Sequence, residues 1–256
     1  MRDPRSILLT GASSGIGAAL ARAYAGPGVT LALGGRDAGR LEAVAADCRR
    51  RGATVVTTEV DVTAAKDMTA WIEAADAAQP LDLVIANAGI SAGTGGAGGE
   101  AAAQTRAIFA VNVDGVLNTV LPVIPLMRQR GRGQIAIMSS IAGFRGLPGA
   151  PAYSASKAAV KVWGEGLRGW LAGDGIAVSV ICPGYIETPM TAVNQFPMPF
   201  LMSPERAAAH IRRGLAGNRG RIAFPWPMVV AIWLAASLPV ALTDPLLRRL
   251  PTKRQG

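Results

Sequence analysis

Histidine and cysteine are almost absent from this chain: His210 is the only histidine, and Cys48 and Cys182 are the only cysteines. The two thiols lie far apart without metal-ligand spacing. A disulfide framework, a zinc site and a Ser-His-Asp hydrolase therefore each lack their parts. Aromatic residues make up only 5% of the sequence. With so few rings among the arginines there is no stacking platform, and no nucleic-acid-binding motif accompanies the formal charge of +9. The basic clusters Arg49–Arg51, Arg128–Arg132 and Arg248–Arg254 read as solvated surface open to anions. The start, MRDPRSILLTGASSGIG, has no signal-peptide hydrophobic region, so cytoplasmic synthesis without export is expected. No linker, repeat or low-complexity stretch divides the chain. With 50% hydrophobic residues it can bury one core. The expected organisation is one domain over 1–221, with a substrate lid at about 190–215, and an apolar and basic extension of it over 222–256.

What is present centres on Met138–Lys161, MSSIAGFRGLPGAPAYSASKAAVK. Tyr153 and Lys157 stand four residues apart in a helical run, so they project from one face. A phenol titrates near ~10, and a neighbouring cation favours the phenolate, which makes Tyr153 a candidate general acid/base. Just upstream, the apolar run Gln134–Ser139 delivers Ser140 to the end of a predicted strand.

Near the N-terminus, a strand over Ser6–Thr10 leads into Gly11-Ala12-Ser13-Ser14-Gly15-Ile16-Gly17 and an Ala-rich helix to about Ala25. Glycines there let main chain approach a pyrophosphate, and the helix N-terminus supplies the anion site. The second strand, Thr30–Leu33, is closed by Gly34-Gly35-Arg36-Asp37. An NAD enzyme would grip ribose hydroxyls with an acid here. Arg36 suits a 2′-phosphate instead, so the residues favour NADP(H); if Arg36 only caps the strand, NAD(H) stays open. Further strands are predicted at Thr54–Val60, Leu81–Ala86 and Ala177–Ile181, and a helix with Thr63 as N-cap to about Gln79. A long helical pattern runs from Glu100 to about Gln129. Asn112 lies inside it, a polar amide that must be satisfied by bonding or distorting the backbone.

Together, the glycine-rich turn, Asn87-Ala88-Gly89, Ser140, Tyr153, Lys157 and the Cys182–Thr188 stretch resemble the short-chain dehydrogenase/reductase family over roughly residues 6–190. The resemblance implies a doubly wound Rossmann fold, α/β with about seven parallel strands and helices on both faces. It implies a catalytic site of Ser140, Tyr153 and Lys157 with Asn112 as its fourth member, anchoring a water that links Lys157 to solvent. Tyr153 and Lys157 would also meet the cofactor, Lys157 through the ribose hydroxyls. Gly11, Ser13, Ser14, Gly15, Ile16 and Gly17 would hold the pyrophosphate. Asp61 and Val62 would meet the adenine, Asn87, Ala88 and Gly89 would lie beside the cofactor, and Pro183, Gly184, Ile186 and Thr188 would border the nicotinamide. Relatives dimerise through two long helices, so a homodimer or homotetramer is expected. The implied activity is hydride transfer between a carbonyl and an alcohol. The alternative is a non-catalytic NADP(H) sensor or structural subunit on the same fold.

Two C-terminal stretches are read on their own chemistry. Met190–Met202, MTAVNQFPMPFLM, occupies the position of a substrate loop, and its Phe196, Met198, Phe200, Leu201 and Met202 suit a lipophilic alcohol, ketone or aldehyde. The bland reading is that they pack beneath the loop. Ser203-Pro204-Glu205 reads as a helix start. Ile222–Thr243 carries no charge. Its prolines argue against a spanning helix and leave two equal readings: peripheral contact of 222–254 with an anionic membrane, at the inner face, or burial against a partner subunit.

Overall fold

The computed structural model describes residues 3–94 and 99–249. The predicted small-residue loop at Ser91–Gly99 is therefore described only in part, and Lys253 and Arg254 lie outside the described residues. Seven strands form one parallel sheet: β1 (Ser6–Thr10), β2 (Thr30–Gly35), β3 (Thr54–Glu59), β4 (Leu83–Ala86), β5 (Gly133–Met138), β6 (Ile176–Pro183) and β7 (Arg221–Phe224). Their spatial order is β3-β2-β1-β4-β5-β6-β7. β1, β4 and β5 are buried at every position, which is why they read as unbroken apolar runs and not as alternating ones. Ile7 pairs with Leu31 on one side and Leu83 on the other. The chain changes direction of winding between β1 and β4, and a crevice opens there beyond the carboxyl ends of the strands.

Helices α1 (Gly15–Tyr24), α2 (Ala38–Arg50) and α9 (Pro204–Ala216) cover one face, enclosing Leu9, Leu20, Leu33, Leu41 and Ile211. The other face carries α3 (Ala65–Ala78), α4 (Ala102–Phe109), α5 (Gly115–Val120), α6 (Val123–Arg130) and α7 (Pro151–Trp170), enclosing Leu8, Ile72, Val84, Val120 and Leu167. Each fully buried aliphatic side chain contributes about 1.5–3 kcal/mol, so these two layers hold the strand ends in place.

The structure corrects several boundaries. The pattern from Glu100 to Gln129 is not one α-helix. It is wound as a π-helix over Ala110–Asp114 and interrupted at Leu121–Pro122, where proline offers no N–H. The run 102–130 is long and apolar enough to cross a membrane by composition, but Val116, Val120, Val123 and Met127 are sealed in the core. Thr63 does not cap α3: Ala64 holds that position, and Thr63 instead donates its N–H and hydroxyl to Asp61 Oδ1 at 2.9 and 2.8 Å. Ser203 does cap α9, accepting from Arg206 N. Residues 222–224 are not part of an extension. They belong to β7, where Ile222 pairs with Ile181. Beyond them lie α10 (Trp226–Ser237) and α11 (Val240–Leu247).

Candidate active site

The crevice is a cleft of about 590 Å³. Its floor begins with the turn from β1 into α1. Gly11 has φ +66°, and a side chain there would sit 2.8 Å from Ala88 Cα. Gly17 faces the Gly11 carbonyl so closely that a Cβ would collide with it. Asn87 fastens this turn to β4, its amide donating to the carbonyls of Thr10 and Gly11 at 3.0 and 3.1 Å. Thr10 Oγ1 accepts from the N–H groups of Asn87 and Ala88. The N-terminus of α1 carries no side-chain cap, so its N–H groups are left to face the cleft. Across the opening, the Thr188 methyl packs on Gly15, and Thr188 opens α8 (Pro189–Ala192) through a reciprocal cap with Thr191. This bare, positive, glycine-lined turn fits a pyrophosphate.

A Gly17→Ala variant tests that close approach. In an open helix alanine would be favoured over glycine by about 1 kcal/mol. Here overpacking against main chain costs about 1–3 kcal/mol, so net destabilisation is expected, together with weaker dinucleotide binding. Urea unfolding as resistant as wild type would show that the contact is not there.

The reactive groups come from three elements. Ser140 follows β5, and its Oγ accepts from Ala142 N at 3.1 Å. Ser139 ties the strand to α7 by donating to the Lys157 carbonyl at 2.7 Å. Gly143 lets the loop lie on α7, since a Cβ there would sit 2.8 Å from the Lys157 carbonyl. On α7, Tyr153 opens into the cleft while Lys157 is buried. Burial raises the Tyr153 pKa, with a hydrogen bond from Ser140 pulling the other way. Burial also pulls Lys157 down to about 8, opposed weakly by Cys182.

These facts amend the expected electrostatics. Burial outweighs Lys157 in setting the Tyr153 pKa: the Lys157 Nζ donates to the Met138 carbonyl at 3.0 Å and lies 5.8 Å from the phenol ring centroid. Tyr153 is consequently held protonated, as a donor. Asn112 is also not in the cleft wall. It is fully buried behind it, its Oδ1 accepting from Ile90 N at 2.8 Å and its Nδ2 donating to Ile90 O and Ser156 Oγ. The π-helical turn is what carries this amide far enough to clasp the main chain after β4. Gly89 sits where Asn112 and Lys157 approach each other: a Cβ on it would be 3.1 Å from Asn112 Oδ1 and 3.2 Å from Lys157 Nζ.

The other residues assigned to the catalytic and cofactor sites from the sequence all line this one cleft, whereas Phe196, Met198, Phe200, Leu201 and Met202 do not. Arg36 lies exposed at its far end, near enough to Asp61 to help hold that carboxyl low, although the Thr63 N–H is the larger cause. Two contributors escaped the sequence reading. Arg40 also lines the cleft, and it occupies Asp37: the Arg40 N–H and Nε donate to the two Asp37 oxygens at 2.9 and 2.7 Å. Only the turn of α2 brings the two together. Glu100 accepts from Ala152 N at 3.0 Å, supplying the cap that Ala150 lacks at the start of α7. No sequence signal links residues 52 positions apart in this way.

The lid is closed at its base by pairing of Ile186 with Met202. Met202 is core, as the bland reading has it, while Phe200 and Leu201 are exposed and Phe196 meets the Tyr185 ring edge-on. Among the described residues no group of three or more His, Cys, Asp or Glu could hold a metal.

A dinucleotide cradle at the switch point of a seven-stranded parallel sheet, with Ser, Tyr and Lys beside it, defines a Rossmann-type oxidoreductase. A family model described as short chain dehydrogenase matches residues 5–196, and the chain belongs to the short-chain dehydrogenase/reductase family. It is 42% identical to an uncharacterized oxidoreductase of Myxococcus xanthus over 247 residues, 96% of this chain and 97% of that protein. Among solved structures it resembles a short chain dehydrogenase/reductase from Burkholderia phymatum in complex with NAD (TM-score 0.83, 26% identity, 100% and 99% of the two chains). It also resembles a short-chain dehydrogenase from Sphingobium yanoikuyae in complex with NADPH (TM-score 0.80, 27% identity, 96% of each chain).

Proposed function

We propose that the protein interconverts a lipophilic ketone or aldehyde and its alcohol with NADP(H) as preferred cofactor. The observation that carries the reaction type is the placement of Ser140, Tyr153 and Lys157 around one end of the cleft that the glycine turn opens. When bound, the dinucleotide supplies or accepts hydride at the substrate carbon. In reduction, Ser140 Oγ hydrogen-bonds the carbonyl oxygen and the Tyr153 hydroxyl gives that oxygen its proton. The buried Lys157 ammonium steadies the phenolate left behind, and oxidation reverses these transfers. The pyrophosphate is held by the N–H groups around Gly15, and the adenosine end by Arg36 and Arg40. With Asp37 consumed by Arg40, no free carboxylate is offered to a ribose hydroxyl at the end of β2, and this supports NADP(H) over NAD(H). The exposed Phe200 and Leu201 of the lid support an apolar substrate. Phe109, Leu121, Val162 and Trp170, exposed on the helical run and on α7, support a homodimer formed on that face.

The test is NADPH consumption across a panel of short and long carbonyl compounds, with rates rising toward the long apolar members. Absence of turnover on every member would favour a dinucleotide-binding protein without catalysis. The pH dependence is a sharper reading of the same site. Lys157, at about 8, carries its charge below that pH and loses it above. Reductive kcat/KM, which reports groups of the free enzyme, is expected to fall as pH rises through about 8. A flat profile through the alkaline range would remove Lys157 from the reaction.

A further inference from the structure

The helices after β7 present a surface unlike the rest of the molecule. α10 reads WPMVVAIWLAAS, with no charged residue and none fully buried. A helix apolar on every side is stable only where apolar matter surrounds it. α10 half-buries Pro227, Met228, Val229, Ile232 and Ala235, Met228 lying against Gly184, and exposes the remainder. Of the sixteen large apolar side chains exposed among the described residues, eight fall between Trp226 and Leu246, including Trp233, Leu234 and Leu242. That is half of them within a twelfth of the chain, too concentrated to be ordinary scattered surface.

We propose that α10 and α11 form a docking surface for an anionic lipid bilayer, lying in its interface without crossing it. Length excludes a span: the twelve residues of α10 extend about 18 Å against a hydrocarbon thickness of about 30 Å, and Pro239 separates the two helices. Two exposed tryptophans suit the headgroup boundary. Charge selects the partner. Asp244 is the only acidic side chain between residues 222 and 256, and Arg145 neutralises it at 2.9 Å. Arg248 and Arg249 follow, both exposed, so the charge this surface presents is positive. A second copy docking by two-fold symmetry would bring the same arginines with no carboxylate to receive them, whereas anionic headgroups supply that charge. The surface is also tied to the catalytic loop, because Arg145 lies five residues after Ser140 and also bonds Thr243. The inference holds independently of substrate or turnover.

Flotation of the full chain with vesicles tests it. Binding is expected to vesicles containing phosphatidylglycerol and to be much weaker to pure phosphatidylcholine. Arg248→Glu/Arg249→Glu should reduce binding roughly tenfold or more. Trp233→Ser/Leu242→Ser should reduce it as well, with circular dichroism and NADPH affinity unchanged, since these positions are exposed. Failure of wild type to float with the anionic vesicles overturns the proposal, as does equal binding to both vesicle types that neither variant alters. An oligomer that Trp233→Ser/Leu242→Ser dissociates, without vesicle binding, would show that a second copy covers the surface.

Discussion

Replacing Tyr153 with phenylalanine is expected to lower turnover by about 10²- to 10⁴-fold, the usual contribution of a positioned proton donor. The change removes one oxygen and leaves the ring to pack as before. α7 keeps its external cap from Glu100, and Lys157 keeps its bond to the Met138 carbonyl. Stability and NADPH affinity should therefore stay near wild type, so that the loss falls on kcat. Ser140 is no substitute donor, because an aliphatic hydroxyl is a far weaker acid than a phenol. Its role is to orient the substrate oxygen. Steady-state kinetics on the best carbonyl substrate decide the matter: near-normal kcat in Tyr153→Phe would assign the proton to another group.

The double variant Arg36→Ala/Arg40→Ala is expected to reverse much of the cofactor preference. Each charge-assisted contact to a phosphate is worth about 1.5–3 kcal/mol, so the KM for NADPH should rise roughly tenfold or more per arginine. NADH should respond differently. The Arg40 side chain now occupies Asp37 Oδ2, and its removal frees that oxygen at the end of β2, where a ribose hydroxyl would be received, while the backbone N–H at position 40 keeps Oδ1 as the helix cap. The KM for NADH should stay level or fall. Kinetics with both cofactors check this, and an equal rise for both would mean that neither arginine reads the 2′-phosphate. Arg40→Ala alone separates the two roles, because it frees Asp37 Oδ2 while leaving Arg36 in place.

Much of this site lies in short stretches of chain, and those parts are legible without a structure. Gly11, Gly15 and Gly17 belong to one turn. Tyr153 and Lys157 share a face through the helical repeat alone. The strands announce themselves because a parallel sheet buries both faces and so selects unbroken apolar runs. The same local logic places Ser203 at the start of α9.

What sequence leaves out are the contacts between distant segments. Ile222–Phe224 looks like the start of an apolar tail, but pairing with β6 makes it the edge of the sheet, and register is a property of two strands together. Thr63 has the composition of a cap, yet the Asp61 carboxylate competes for it more strongly. Asn112 has to be satisfied on any reading. That it does so by opening a π-turn and clasping Ile90 follows from where β4 ends. The electrostatics are the clearest case. Spacing places an ammonium beside a phenol, but the buried Met138 carbonyl draws Lys157 aside and burial raises the Tyr153 pKa. Sequence by itself determined the sheet, the glycine turn and the order of the reactive groups, because helical and strand periodicities are local. Tertiary structure decided their protonation and the outward face of the last helices, because desolvation and charge depend on what surrounds a group in space.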